Sequence, residues 1–141
     1  MSLTTHYSAT TTLKHDPYII RQVLLNIDNL AAWNPAFSHV EPAEPDGTHP
    51  ITIHNLLKGK LTHAQPTPNV VRFQIKVPGL TEESTFTLSP NTHGTKVTHT
   101  INQRGVLTTI IGSHEASLVP HKRLTRLTHT LNATHNTFPH E

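Results

Sequence analysis

The first part of the chain changes from one hydrophobic period to another. Apolar or small side chains alternate with polar ones from Leu3 to Leu13, and this period of two predicts a first β-strand. Asp16 and Pro17 then suit the N-cap and the first position of a helix. The apolar residues that follow are spaced for one helical face: Ile20, Val23, Leu24 and Ile27. The pattern predicts a strand followed by a short amphipathic helix.

A second short helix is predicted after Asp28, which can act as its N-cap. Leu30 and Trp33 point the same way in such a helix, and Asn34-Pro35 stops it. Trp33, the only tryptophan of the chain, therefore lies at a helix-to-strand corner. A large aromatic side chain at such a corner favours a core role, in which it closes one end of the space behind a sheet. The alternative is that its inner edge also forms a wall of a cavity.

From Phe37 to Arg104 the chain is typical of strands and hairpins, with turn sequences PDG, KG, TPN, PG and PNTHG. A hairpin at Lys58-Gly59 would place His54 opposite His63. A two-residue loop at Pro78-Gly79 makes the apolar faces of its two strands coincide. That register pairs Val77 with Leu80, Ile75 with Glu82 and Phe73 with Ser84. For the next hairpin we expect Leu88 opposite Thr95, Phe86 opposite Val97 and Ser84 opposite His99.

After Gly105 the period becomes helical again. One apolar stripe follows this segment: Leu107, Ile110, Ile111, Leu118, Leu124, Leu127, Leu131 and Phe138. The stripe predicts a long C-terminal helix that begins near Val106. Gly112 and Pro120 are expected to weaken or kink it, because proline removes one backbone hydrogen bond and clashes with the preceding turn.

The order of these elements predicts an α+β fold, in which a curved antiparallel sheet of six to seven strands wraps around the C-terminal helix. Two short helices follow strand one. The chain resembles the START-like helix-grip superfamily (SRPBCC), in particular its polyketide cyclase/dehydrase and lipid-transport branch. The resemblance rests on "HDPYIIRQVLLNIDNLAAWNPAF", on "TFTLSPNTHGTKVTHT" and on the terminal helix. It covers nearly the whole chain, so we expect residues 1–141 to form a single ligand-binding domain.

The resemblance implies a hydrophobic pocket between the concave face of the sheet and the terminal helix. Such a pocket carries or transforms small apolar molecules. Inward-facing alternation gives the expected ligand-binding residues: Trp33, Phe73, Ile75, Glu82, Ser84, Phe86, Val97, His99, Ile101, Leu124 and Leu127. Tyr7, Ala9 and Thr11 share the inward face. Glu82, Ser84 and His99 are the polar members, and they mark either a ligand's polar end or a core histidine bonded to Ser84.

Three classes of function remain open at this point. The first is a carrier or sensor of a small hydrophobic molecule, lipid or polyketide-like. The second is a cyclase/dehydratase-type enzyme in which His99 and Glu82 act as acid and base. The third is a protein-interaction module with a filled core. Nucleophilic catalysis by Ser84 is disfavoured because no G-x-S-x-G elbow surrounds it. A continuous cavity above ~300 Å³ would favour a ligand.

Composition and charge limit the classes of binding partner and the location that can be expected. The formal charge is +2 without any Lys/Arg run, which gives nucleic-acid binding little support. There is no cysteine, so disulfides and thiolate chemistry are excluded. No apolar run approaches ~18 residues and the first residues are not those of a signal peptide. We therefore expect a cytoplasmic protein without stable membrane insertion, and the sequence leaves its oligomeric state open.

Thirteen histidines raise the question of a metal site. No two of them are spaced i, i+4 or at alternate strand positions, so no local chelating pair exists. The segment "HEASLVPH" departs from HExxH because Leu118 occupies the second histidine position. We expect no metal and no cofactor.

Overall fold

The computed structural model describes residues 4–105 and 113–135. Within these ranges it contains seven strands, two α-helices and one 3-10 helix. The strands are β1 (Thr4–Leu13), β2 (Phe37–Val40), β3 (His49–Ile53), β4 (Leu57–Thr67), β5 (Val70–Val77), β6 (Leu80–Asn91) and β7 (Gly94–Arg104). The helices are α1 (Pro17–Leu25), the 3-10 helix (Ile27–Ala32) and α2 (Ser113–His135).

The strands form one curved sheet in the order β1-β7-β6-β5-β4-β3-β2, with antiparallel pairing throughout. Helix α2 packs against β1 and β7, and α1 contacts β5 and β6. The 3-10 helix lies against the outer strand β2. A β-bulge between Phe37 and His39 interrupts the pairing of β2 with β3. The predicted α+β helix-grip architecture, with two short helices after strand one, is confirmed.

The start of α1 follows the predicted capping. The Asp16 carboxylate accepts a hydrogen bond of 2.8 Å from the Tyr18 backbone N–H, and Pro17 occupies the first turn. Ile20 and Leu24 form its buried face. For the second short helix the predicted N-cap is wrong. It is a 3-10 helix that begins at Ile27, and Asp28 lies inside its first turn.

The hairpin at Pro78-Gly79 has the predicted register, in which Val77 pairs with Leu80 and Phe73 with Ser84. The register predicted for β6 and β7 is wrong by two residues. Leu88 pairs with Val97, Phe86 with His99 and Ser84 with Ile101. A shift of two residues leaves every side chain on its own face, so the alternation that fixed the faces could not fix the pairing.

The predicted turn at Lys58-Gly59 is also wrong. The connection between β3 and β4 is residues 54–56, where His54 and Asn55 take left-handed φ angles of 51° and 59°. Gly59 instead lies within β4, where an added Cβ would sit 2.0 Å from the Lys76 carbonyl oxygen. The glycine is required for close packing between strands, which the sequence could not distinguish from a turn.

As a consequence, His54 does not face His63. His63 lies beside His49 instead, with ring centroids 5.9 Å apart. Burial and the neighbouring His49 lower the pKa of His63 below 6.5.

The core lies between the concave sheet face, the short helices and α2. From α2 it receives Leu124, Leu127 and Leu131, which confirms this part of the predicted stripe. Pro120 lies inside the helix. The predicted helix start near Val106 and the other predicted positions at residues 107, 110–112 and 138 lie outside the described residues.

Gly94 gives a test of the β6–β7 turn. Its φ is +135°, and an added Cβ would lie 2.1 Å from the Leu13 carbonyl oxygen on β1. Gly94→Ala should lower the free energy of unfolding by about 3 kcal/mol or more, because backbone strain and a backbone clash add. Gly47→Ala is the matched control, since Gly47 has a φ of +87° with open space around it. It should cost about 1 kcal/mol. Equal costs in urea unfolding would contradict the tight β1–β7 approach.

Candidate functional site

A cavity of about 510 Å³ opens between the sheet and α2. Strands β3 to β7 contribute its walls on one side and α2 contributes Val119, Lys122 and Arg123 on the other. The lining is Pro35, Ala36, Ile53, His54, Leu57, Ile75, Val77, Leu80, Glu82, Gln103, Val119, Lys122 and Arg123. Most of these side chains are apolar, so the cavity wall is hydrophobic apart from a small polar region.

The buried part of that region is a polar cluster formed by Glu82 on β6, Gln103 on β7 and Arg123 on α2. Arg123 Nη1 donates to Glu82 Oε2 at 2.7 Å, and Arg123 Nη2 donates to Oε1 at 3.2 Å. Gln103 Nε2 donates to the same Oε1 at 2.8 Å. Glu82 and Gln103 are cross-strand partners, which sets their approach. All three side chains are buried.

The protonation state of Glu82 follows from two opposing effects. Burial alone raises its pKa, because a desolvated carboxylate is costly. The charge and hydrogen bonds of Arg123, together with the Gln103 hydrogen bond, lower it further than burial raises it. The pKa of Glu82 therefore lies below 4.5, and the cluster is an ion pair at neutral pH.

His99 lies deeper in the core, on the inward face as predicted, and is fully buried. Its ring stacks on Phe86 with centroids 3.9 Å apart and planes 7° apart. Nδ1 lies 3.3 Å from the Thr85 carbonyl oxygen and donates to it, and Nε2 has no partner in the described part of the chain. The predicted placement beside Ser84 is wrong because of the register shift.

Burial and the charge of Arg123 lower the pKa of His99 to about 3, while Glu82 and the Thr85 carbonyl act in the opposite direction. His99 is therefore neutral at physiological pH. Its surroundings are aromatic, since Phe86 also meets Trp33 and Phe73 edge-on at centroid distances of 5.6 and 6.0 Å.

The predicted ligand-binding residues divide into two groups. Ile75 and Glu82 line the cavity. The others are buried in the core and do not form its wall: Trp33, Phe73, Ser84, Phe86, Val97, His99, Ile101, Leu124 and Leu127. Trp33, 1% exposed, takes the core position that its corner favoured. Ligand contact by any of the predicted residues stays a prediction.

Sequence reasoning missed Gln103 and Arg123. Gln103 continues the inward alternation of Val97, His99 and Ile101 on β7, so the strand pattern carried a signal for it. Arg123 stands next to Leu124 on the buried side of α2 and one helical turn before Leu127. From the sequence alone, a basic residue at that position is expected to be exposed. Its burial is explained only by the Glu82 carboxylate opposite it, which the helix pattern does not reveal.

In the described ranges, no three His, Asp or Glu side chains lie close enough together to hold a metal ion. The helices described there also lack the length and apolar composition needed to span a bilayer.

The buried histidine makes stability depend on pH. Because the folded pKa of His99 is about 3 and its reference value is 6.5, the unfolded chain binds the proton more readily. Stability is full above pH 6.5 and is lost as the pH falls, by on the order of 2–3 kcal/mol between pH 6.5 and 4.5. His99→Phe should remove this loss in urea unfolding measured across that range. His93→Gln, at an exposed position in the turn between β6 and β7, is the control and should change it little.

The ion pair gives a second test. Arg123→Met leaves the Glu82 carboxylate buried without its partner and should lower the free energy of unfolding by ~3–5 kcal/mol. Adding Glu82→Leu should recover most of that loss, because two apolar side chains replace the pair without leaving a charge. Urea unfolding of the wild type, both single variants and the double variant measures the coupling. Additive effects of the two substitutions would contradict a coupled buried pair.

Comparison with known proteins places the fold. No protein-family model and no curated protein matches the sequence. Among solved structures, a protein from Thermus thermophilus superposes with a TM-score of 0.76 at 13% identity over 93% of this chain and 99% of that one. A conserved protein from Geobacillus kaustophilus gives 0.74 at 14% identity over 92% and 97%. A START superfamily protein from Mycobacterium smegmatis gives 0.65 at 11% identity over 92% and 95%. The chain therefore has the same α+β helix-grip fold as these proteins, one of which is a START superfamily protein.

Proposed function

We propose that this protein binds one small hydrophobic molecule in the cavity between the sheet and α2, as a carrier or sensor. The observation that carries the proposal is the cavity itself. Its volume of about 510 Å³ lies within the ~300–1,000 Å³ range of small-molecule sites. A concave, mostly apolar space of this size with a few convergent polar groups is the usual form of a small-molecule site.

The chemistry of the walls supports an apolar ligand. Ile53, Leu57, Ile75, Val77 and Leu80 present aliphatic surface from the strands, and Val119 faces them from α2. Burial of apolar ligand surface here yields roughly 25 cal/mol per Å². The polar cluster supplies direction, because a few placed polar groups in an apolar site orient what binds.

The enzymatic alternative receives less support from this geometry. Glu82 is held as a carboxylate of lowered pKa by Arg123, so it is a poor proton acceptor at neutral pH. His99 has a pKa of about 3 and does not line the cavity. The interaction-module alternative called for a filled core, and an open cavity counts against it.

For the location we propose the cytoplasm, in keeping with a chain that has no cysteine.

A neutral fluorescent dye, N-phenyl-1-naphthylamine, tests the proposal. It should bind with one dye per chain and gain fluorescence on entering the apolar site. Leu80→Trp places an indole in the cavity and should weaken binding about tenfold or more, which corresponds to a loss of roughly 60 Å² of apolar contact.

Thr87→Trp is the matched control, because Thr87 lies on the exposed face of the same strand. It should leave dye affinity unchanged. Absence of dye binding by the wild type, or equal binding by Leu80→Trp, would overturn the proposed site.

A further inference from the structure

The side-chain amide of Gln103 has one satisfied end and one unsatisfied end. Its partner at 2.8 Å is a Glu82 carboxylate oxygen, which can only accept. The amide nitrogen must therefore face Glu82, and this fixes the orientation of the whole amide group. The carbonyl oxygen Oε1 is buried and has no hydrogen-bond partner among the described residues. Since an unpaired buried acceptor costs ~1–3 kcal/mol, this atom calls for a donor.

Thr5 lies next to this acceptor. It is the cross-strand partner of Gln103 in the pairing of β1 with β7, and the alternation of burial along both strands puts the two side chains on the inner face. Directly opposed residues in such a pair have Cβ atoms ~4.5–5.5 Å apart. Thr5 Oγ1 is also buried and has no partner in the ranges described. A hydroxyl both donates and accepts, so the two strands together present one acceptor and one group of either kind.

The ion pair restricts the charge of a ligand that reaches these groups. Arg123 is already neutralised by Glu82 through two hydrogen bonds of 2.7 and 3.2 Å. A ligand carboxylate at this depth would add a second buried negative charge without a second buried cation, which is costly. It also could not donate to Gln103 Oε1. An ammonium group could donate there, but it would face Arg123 and could not accept from Thr5.

We propose, on the basis of the function proposed above, that the ligand is a neutral amphiphile with a hydroxyl group, such as an alcohol, a phenol or a hydroxylated polycycle. Its hydroxyl donates to Gln103 Oε1 and accepts from Thr5 Oγ1. Its apolar body lies along the aliphatic walls. Donor and acceptor are then satisfied together, which an ether, a carboxylate or a hydrocarbon cannot achieve.

Three ligands with one ring system and different polar ends test this specificity: 2-naphthol, 2-methoxynaphthalene and 2-naphthoate. Isothermal titration calorimetry at neutral pH measures each. We expect 2-naphthol to bind about fivefold to tenfold more tightly than its methyl ether, as one hydrogen bond to a buried group would give. The naphthoate should bind most weakly.

Two variants assign the preference to the named atoms. Thr5→Val is nearly isosteric and removes the hydroxyl, and Gln103→Leu removes the amide. Gln103→Leu should reduce the preference for 2-naphthol over the ether to about one while leaving affinity for the ether nearly unchanged, because it removes the acceptor that only a hydroxyl can use. Thr5→Val removes a donor that the hydroxyl and the ether oxygen can both use, so it should weaken the two ligands about equally and keep the preference. The matched control is Thr10→Val on the outer face of β1, where Thr10 contacts Thr98, and it should keep the full preference. If Gln103→Leu does not fold by circular dichroism, Thr5→Val decides: equal weakening of 2-naphthol and its ether supports the site, and unchanged binding of both overturns it.

The possible results distinguish failure of the hydroxyl site from failure of the proposed ligand-binding function. Dye binding without any preference among the three naphthalenes, or with no naphthalene binding, overturns the hydroxyl site and leaves the cavity binder standing. Tightest binding of the naphthoate also overturns it, and would assign recognition to Lys122 at the cavity wall. Failure of the wild type to bind the dye overturns the proposed function itself.

Discussion

The structure depends on the compensation of one buried carboxylate. Glu82 is buried on the sheet's inner face near the turn between β5 and β6, and a cation with further hydrogen-bond donors is needed to keep it charged there. Arg123 comes from α2 and Gln103 from the neighbouring strand. The ion pair therefore joins the helix to the sheet at one defined point. It is directional where hydrophobic contacts are not, so it fixes which part of α2 lies over β6.

The cavity can be understood from this constraint. A helix held to the sheet by Arg123 at one position and by Leu124, Leu127 and Leu131 further along leaves its preceding turns standing over β5 and β6. Val119 and Lys122 lie in those turns and line the space. The opposite wall is formed where β3 and β4 meet. The polar cluster is thus both the attachment of the helix and the polar end of the site.

Sequence patterns predicted the faces of the strands well and their pairing less well. Alternation placed Glu82, Ser84 and His99 inward because a side chain's face depends only on parity. The partner of His99 depends on turn length, which parity does not contain, and so the β6–β7 register was wrong by two residues. The turn predicted at Lys58-Gly59 was wrong for a related reason, since glycine occurs both in turns and where two strands pack closely. Arg123 was missed because its burial is stabilised by Glu82, which lies forty-one positions earlier in the sequence and cannot be recognised as its partner from the helix pattern.

The two outer strands of the described sheet differ in how they limit association with other chains. An outer strand carries unpaired backbone groups that can template pairing with a second sheet. β2 is four residues long and is interrupted by the bulge between Phe37 and His39. Its edge is therefore too short and too irregular for a strand of another chain to pair with it. β1 is ten residues long, but α2 packs beside it. The unpaired edge of β1 is therefore protected only while α2 stays packed against the sheet, so the buried ion pair that holds this helix also limits pairing of the sheet with a second chain.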